Sequence, residues 1–150
     1  MPIIERRQEG TMWTKSYSKT VKDLKAVQVW NVWTDVNQWH TWQNDIDYAQ
    51  LDGEFKTGNV LRFKPKGGPR INIELTAIES NVSFVDLTRF PLAKMYDSHE
   101  LITRGGELEI KTTISISGPL SYLWRKLVAE KVADGMQDQM ENLIEKVRHV

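Results

Sequence analysis

Along the chain the spacing of apolar positions changes twice, from strand alternation to helical period and back, then returns to helical period at the end. A first strand is expected in TMWTKSYSKTV, residues 11–21. Between Asp23 and Val36, the residues Ala26, Val29, Trp30, Trp33 and Val36 fall on one arc, which predicts a core-facing helix. DVNQWHTWQN (35–44) carries Trp39 and Trp42 and predicts a short second helix, ending in a turn at Asn44 and Asp45. Period-two alternation comes next, broken at Asp52–Gly53, Lys56–Asn59, Lys66–Pro69, Ser80–Asn81, Pro91–Leu92 and Arg104–Glu107, so six antiparallel strands in a meander are expected. Gly118 then precedes Pro119, a residue favoured at the first helical position, and a long helix is expected nearly to Val150. One of its faces reads Tyr122, Ala129, Val132, Ala133, Met136, Met140, Leu143 and Val147. The pattern predicts an α+β fold in one domain, 1–150: a seven-stranded antiparallel sheet, two short helices after its first strand, and a closing helix over one face.

Two-residue hairpins fix which residues oppose each other. A turn on Gly105–Gly106 sets Leu101 against Ile110, His99 against Thr112, Asp97 against Ile114 and Met95 against Ile116. A turn on Leu92–Ala93 sets Phe84 against Leu101, Asp86 against His99, Thr88 against Asp97 and Phe90 against Met95. A turn on Ser80–Asn81 sets Ala77 against Phe84, Leu75 against Asp86, Ile73 against Thr88 and Ile71 against Phe90. All three agree on one inner face, with Glu100 and Lys111 paired on the outer one. Asp86, Thr88, Asp97, His99 and Thr112 then form a single polar patch in an otherwise apolar wall. Opposed side chains have Cβ atoms about 5 Å apart, so Asp86 and His99 are within hydrogen-bonding reach. Ala129, Ala133 and Gly135 make the middle of the closing helix small, which leaves room above the patch. Either the patch faces a cavity, or Asp86, His99 and Thr112 satisfy one another in a filled core. A buried acid without partner or water costs on the order of 3–5 kcal/mol, which favours the cavity. Its candidate ligand-binding residues are Leu75, Phe84, Asp86, Thr88, Phe90, Asp97, His99, Leu101 and Thr112 on the sheet, with Ala129, Ala133, Met136 and Met140 on the helix.

Composition narrows the partners. Lys plus Arg balance Asp plus Glu, 20 against 20, so no excess positive charge draws the chain to nucleic acid or anionic lipid. The absence of cysteine removes thiolate chemistry and suits a reducing compartment. The start MPIIERRQEG has charges where a signal peptide needs an apolar run, and no apolar stretch is long enough to span a bilayer, so a cytoplasmic chain without stable membrane insertion is expected. Asp86, Asp97 and His99 have the ligand types of a metal site, but two share a strand and no fourth ligand is evident. No metal and no cofactor are expected. KPKGGP lacks a following helix and reads as a hairpin turn, not a phosphate loop. Trp30, Trp33, Trp39 and Trp42 read as core, with Trp39 and Trp42 best placed for an aromatic ligand platform. His40 and His149 read as solvated. Leu120, Leu123, Trp124, Leu127 and Val128 either pack under the tryptophan-bearing helix or are exposed to a partner, a second copy of the chain or a membrane.

TDVNQWHTW (34–42), LDGEFKTGNVLRFKPKGGP (51–69), DSHEL (97–101) and SGPLSYLWRKLVAEKVADGM (117–136), in this order, resemble the bacterial START-like (SRPBCC) superfamily. This is the polyketide cyclase/dehydrase and lipid transport group that shares the helix-grip fold of the birch pollen allergen. The similarity covers nearly the whole chain. It rests on Asp35, Trp39 and Trp42, on the turn glycines Gly53 and Gly58, on His99, and on Gly118, Pro119 and Leu120. The resemblance implies a curved sheet wrapped around the closing helix, enclosing a deep pocket for hydrophobic small molecules. It also implies two functions as expectations: binding, transfer or sequestration of an apolar ligand, or cyclase-like catalysis with His99 as general acid or base and Asp86 fixing its tautomer. In either case Asp86 and Asp97 are expected to hold the His99 pKa above its usual value of about 6.5.

Overall fold

The computed structural model describes residues 12–150, so Thr11, where the first strand was expected to begin, and the charged N-terminal stretch lie outside the described residues. The alternating segments form β1 (Trp13–Val21), β2 (Ile46–Gln50), β3 (Val60–Pro65), β4 (Ile71–Glu79), β5 (Ser83–Phe90), β6 (Ala93–Arg104) and β7 (Glu107–Ser117). They make one antiparallel sheet in the order β1-β7-β6-β5-β4-β3-β2. The chain crosses from one edge to the other through α1 (Ala26–Thr34) and a 3-10 turn, Val36–Thr41. Helix α1 is shorter than its arc of apolar residues. The Lys25 N–H is held by Gln28 Oε1 at 2.8 Å, and the backbone leaves helical space at Asp35. Trp39 Nε1 donates to the Trp33 carbonyl at 2.9 Å, and Asn37 exchanges two hydrogen bonds with the Leu51 backbone, so side chains tie the 3-10 turn to both neighbours.

The β6–β7 register is the expected one throughout, from Met95–Ile116 to Leu101–Ile110. The β5–β6 register is not. This hairpin closes on Pro91–Leu92, which slides β6 by two residues: Phe84 faces His99, Asp86 faces Asp97, Thr88 faces Met95 and Phe90 faces Ala93. Leu92 takes a left-handed conformation, φ 57°, and its carbonyl accepts the Leu120 N–H at 3.0 Å. Gly118 makes that contact possible. Its φ is +115°, and a Cβ there would lie 2.6 Å from the Leu92 oxygen. The start of the closing helix is thus laid on the hairpin tip.

On the other side of β5, Leu75 faces Asp86 as expected, but a bulge after Leu75 puts Ala77 opposite Val85 and Ile78 opposite Phe84. Ala77 is therefore exposed and Ile78 packs on the core in its place. The ladder ends at Glu74–Leu87. The expected pairs Ile73–Thr88 and Ile71–Phe90 do not form: past the bulge Ile71 to Ile73 keep only their β3 partners and Thr88 to Phe90 only their β6 partners. The sheet parts here.

The closing helix is α2 (Ser121–Trp124), a π-helical turn (Arg125–Ala129), α3 (Glu130–Asp134) and, after Gly135, α4 (Met136–Arg148). The wider π turn rotates α2 relative to α3 and α4. Tyr122, expected in the core, is 69 % exposed, and Val132 lies half out as well. Trp124 points inward instead, stacked on Phe90 at 4.7 Å, with its Nε1 donating to the Pro91 carbonyl at 2.9 Å. Ala129, Ala133, Met136, Met140, Leu143 and Val147 are buried as expected. The apolar patch at the start of the helix divides: Trp124 and Val128 pack on the sheet, whereas Leu120, Leu123 and Leu127 are exposed. The buried apolar residues fall into two clusters, a large one around Trp30, Trp33, Phe84, Leu143 and Ile144, and a small one of Ala93, Met95, Ile114, Ile116, Ala129, Ala133 and Met136.

Candidate functional site: a cavity between the sheet and the closing helix

Residues of both clusters line a cavity of about 960 Å³, the size range of small-molecule sites. Its wall is formed by the inner faces of β5 and β6, by Met136, Gln139, Met140 and Leu143 on the helix, and by Trp33, Trp39, Trp42, Gln43 and Ile46 on the segment joining α1 to β2. The two edges freed where β4 and β5 part, Ile71–Ile73 and Thr88–Phe90, also line it. Arg89 and Glu74, 2.7 Å apart, bridge β5 and β4 there.

Asp86, Asp97 and His99 sit together on the wall. The shifted register makes Asp86 and Asp97 the directly opposed pair and moves His99 to the diagonal. Phe84 stacks under the His99 ring at 4.3 Å and Trp33 meets its edge at 5.6 Å. His99 Nε2 lies 3.3 Å from Asp97 Oδ1 and 3.5 Å from Asp86 Oδ2. Asp97 Oδ1 is buried and has no hydrogen-bond partner despite that proximity. Burial, opposed by the His99 charge and reinforced by the Asp86 charge, pushes Asp97 up to about 7. Burial also pushes His99 down, but the charge of Asp97 and then the contact with Asp86 outweigh it, and its pKa lies above 6.5 as expected. The ligand-type atoms of Asp86, Asp97 and His99 lie within 4.8 Å of one another and could hold a small cation; no fourth His, Cys, Asp or Glu joins them among the described residues.

Of the residues expected to bind ligand, Phe84, Asp86, Thr88, Phe90, Asp97, His99, Thr112, Met136 and Met140 line the cavity. Leu75, Leu101, Ala129 and Ala133 do not. They are buried in the packed clusters behind the wall. Trp39 and Trp42 lie on the wall, and Trp33, read as core, joins them. Sequence reasoning missed Gln43 and, from the β3–β4 side of the lining, Phe63, Pro65, Pro69 and Asn72. Gln43 is a polar side chain only 5 % exposed beside two tryptophans. Trp42 Nε1 is a buried donor without a hydrogen-bond partner.

A sheet curved around a closing helix, with a largely apolar cavity between them and a polar cluster on its wall, defines a helix-grip protein with an internal cavity. The chain belongs to the Polyketide cyclase / dehydrase and lipid transport family, which it matches over residues 12–148. The Zhui aromatase/cyclase from Streptomyces sp. R1128 is similar in structure, with TM-score 0.74, 12 % identity and coverage of 91 % of this chain and 94 % of that one. Ara h 8.0201 has TM-score 0.72 and 14 % identity, over 93 % and 99 % of the two chains. Norcoclaurine synthase from Thalictrum flavum has TM-score 0.69 and 13 % identity, over 93 % and 88 %. At these identities the likeness is one of fold. Among curated proteins, none matches the chain in sequence. The family includes both ligand-binding proteins and cyclases.

Proposed function

We propose that the protein binds a hydrophobic small molecule in this cavity and that the Asp86–Asp97–His99 cluster orients the ligand's one polar end. The observation that carries this reading is the wall itself: apolar on most of its surface, with titratable groups gathered at one place. Apolar area supplies the affinity and the cluster supplies the orientation. Ala133 belongs to the packed cluster, so enlarging it would strain the core, whereas Val128 lines the cavity and is the better position to fill. Val128→Trp should reduce uptake of the neutral fluorescent probe N-phenyl-1-naphthylamine by at least roughly tenfold while changing stability by less than about 1.5 kcal/mol. Unchanged uptake by a folded variant would refute the cavity as the binding site.

A second reading is favoured by the position of His99 Nε2 between two carboxylates. That arrangement suits proton transfer next to a carbonyl, as in a cyclase. Exchange of solvent deuterium into a bound ketone, lost in His99→Ala while probe uptake persists, would establish catalysis; no exchange leaves binding alone.

A further inference from the structure

Six charged or titratable side chains among the described residues line the cavity, and they are not balanced as the whole chain is. Asp45, Glu74, Asp86 and Asp97 are acids; Arg89 and His99 are the two bases. Arg89 is already engaged with Glu74 at 2.7 Å. The chain carries 20 basic and 20 acidic residues, so the excess of carboxylate belongs to the cavity and not to the protein. Resting on the proposed binding function, we infer that the ligand is an apolar amine, its protonated nitrogen held from the cavity side by the Asp86 and Asp97 carboxylates, beside His99.

The geometry fits an ammonium group. Asp86 and Asp97 face each other across β5 and β6. Asp97 Oδ1 is buried without a hydrogen-bond partner, an acceptor waiting for a donor. An ammonium brings three N–H donors and a full positive charge. It would meet two carboxylates at once, and the hydroxyls of Thr88 and Thr112, on the same inner face, are further acceptors. Trp33, whose ring is 5.6 Å from that of His99, adds an aromatic wall next to the charge. An anionic head, by contrast, would lose its water and face both carboxylates with His99 alone to pair with. The cavity therefore selects against fatty acids as much as it selects for amines.

Three ligands with the same eight-carbon tail separate the possibilities: octylamine, octanol and octanoate, each titrated at pH 7.5 by calorimetry and by displacement of N-phenyl-1-naphthylamine. Octylamine should bind at least about tenfold more tightly than octanol, and octanoate at least about tenfold more weakly. In the double variant Asp86→Asn, Asp97→Asn, shown to be folded by its cooperative urea unfolding, the amine and the alcohol should converge to within about threefold. Octanoate binding as tightly as octylamine, or an amine preference that survives in the double variant, would overturn this inference while leaving the binding function standing. If none of the three binds and the probe is not taken up, the binding function fails and the inference with it.

Discussion

In α4 the residues Met140, Leu143, Ile144 and Val147 are each 3–4 % exposed and pack into the large aromatic cluster. Arg148 at its end holds Asp23 through two hydrogen bonds of 2.8 and 3.0 Å. From Ser121 to Asp134 only Ala129 and Ala133 are buried, a π turn interrupts the helix, and Leu123 and Leu127 face outward. The two halves of one closing element thus do different work. The second half fixes the helix by burial and also lends Met136, Gln139, Met140 and Leu143 to the cavity wall; the first, held by Trp124 and the Gly118–Leu92 contact, meets the cavity through Trp124, Val128 and Val132 and buries little besides. Buried apolar area is what stabilises the fold, so a protein that keeps a cavity must concentrate its packing elsewhere.

The largest effect should come from weakening the packed half. Leu143→Ala removes a side chain that is 3 % exposed and should cost about 3 kcal/mol. Leu123→Ala, at a side chain 46 % exposed, should stay within about 0.5 kcal/mol. Urea unfolding of both variants checks the contrast. Equal losses would break it, and would show that the exposed leucines are covered in solution.

The same division marks what could be read from sequence. The stripe of α4 and the Gly105–Gly106 hairpin were legible, because helical period and a two-glycine turn each leave few alternatives. The π turn was not, since an extra residue in a helical turn has no distinctive composition, and Tyr122 consequently changed sides. The break at Pro91–Leu92 was legible, but not that the hairpin closes on those two residues, because a leucine with positive φ is against ordinary preference. A slip of two residues keeps every side chain on its face. The members of the polar cluster were therefore foreseen correctly while their pairing was not. The bulge after Leu75 and the parting of β4 from β5 depend on tertiary packing, and with them the lining that β3 and the start of β4 give the cavity escaped notice.

A smaller effect should come from Asp97, which lies on the cavity wall. Its folded pKa is about 7 against an ordinary 3.8, so between those values the folded protein holds a proton that the unfolded chain has released. Stability must then fall as pH rises across that window and level off above it. Asp97→Asn should flatten this dependence and raise stability at pH 8 by about 1–2 kcal/mol, while changing little at pH 4. Denaturation at both pH values measures it. A variant less stable than the native protein at pH 8 would mean that the Asp97 carboxylate is stabilised by its surroundings and not penalised by burial.

The smallest effect separates the observed register from the expected one. Direct opposition would have made Asp86 the main partner of His99; in the structure Asp86 is diagonal at 3.5 Å, and Asp97, two residues along the same strand, is nearer at 3.3 Å. Both carboxylates raise the histidine pKa against the opposing effect of burial, Asp97 by the larger Coulombic contribution. Because the folded value is the higher one, the stabilising contribution of His99 is complete below about 6.5 and is lost as pH rises through the folded pKa. Asp86→Asn should lower the His99 pKa, and Asp97→Asn should lower it at least as far. NMR titration of the His99 ring in the native protein and both variants ranks the two contacts. A drop confined to Asp86→Asn would restore direct opposition and refute the turn at Pro91–Leu92. A drop in both variants, larger for Asp97→Asn, is what a histidine shared by two acids on a cavity wall requires.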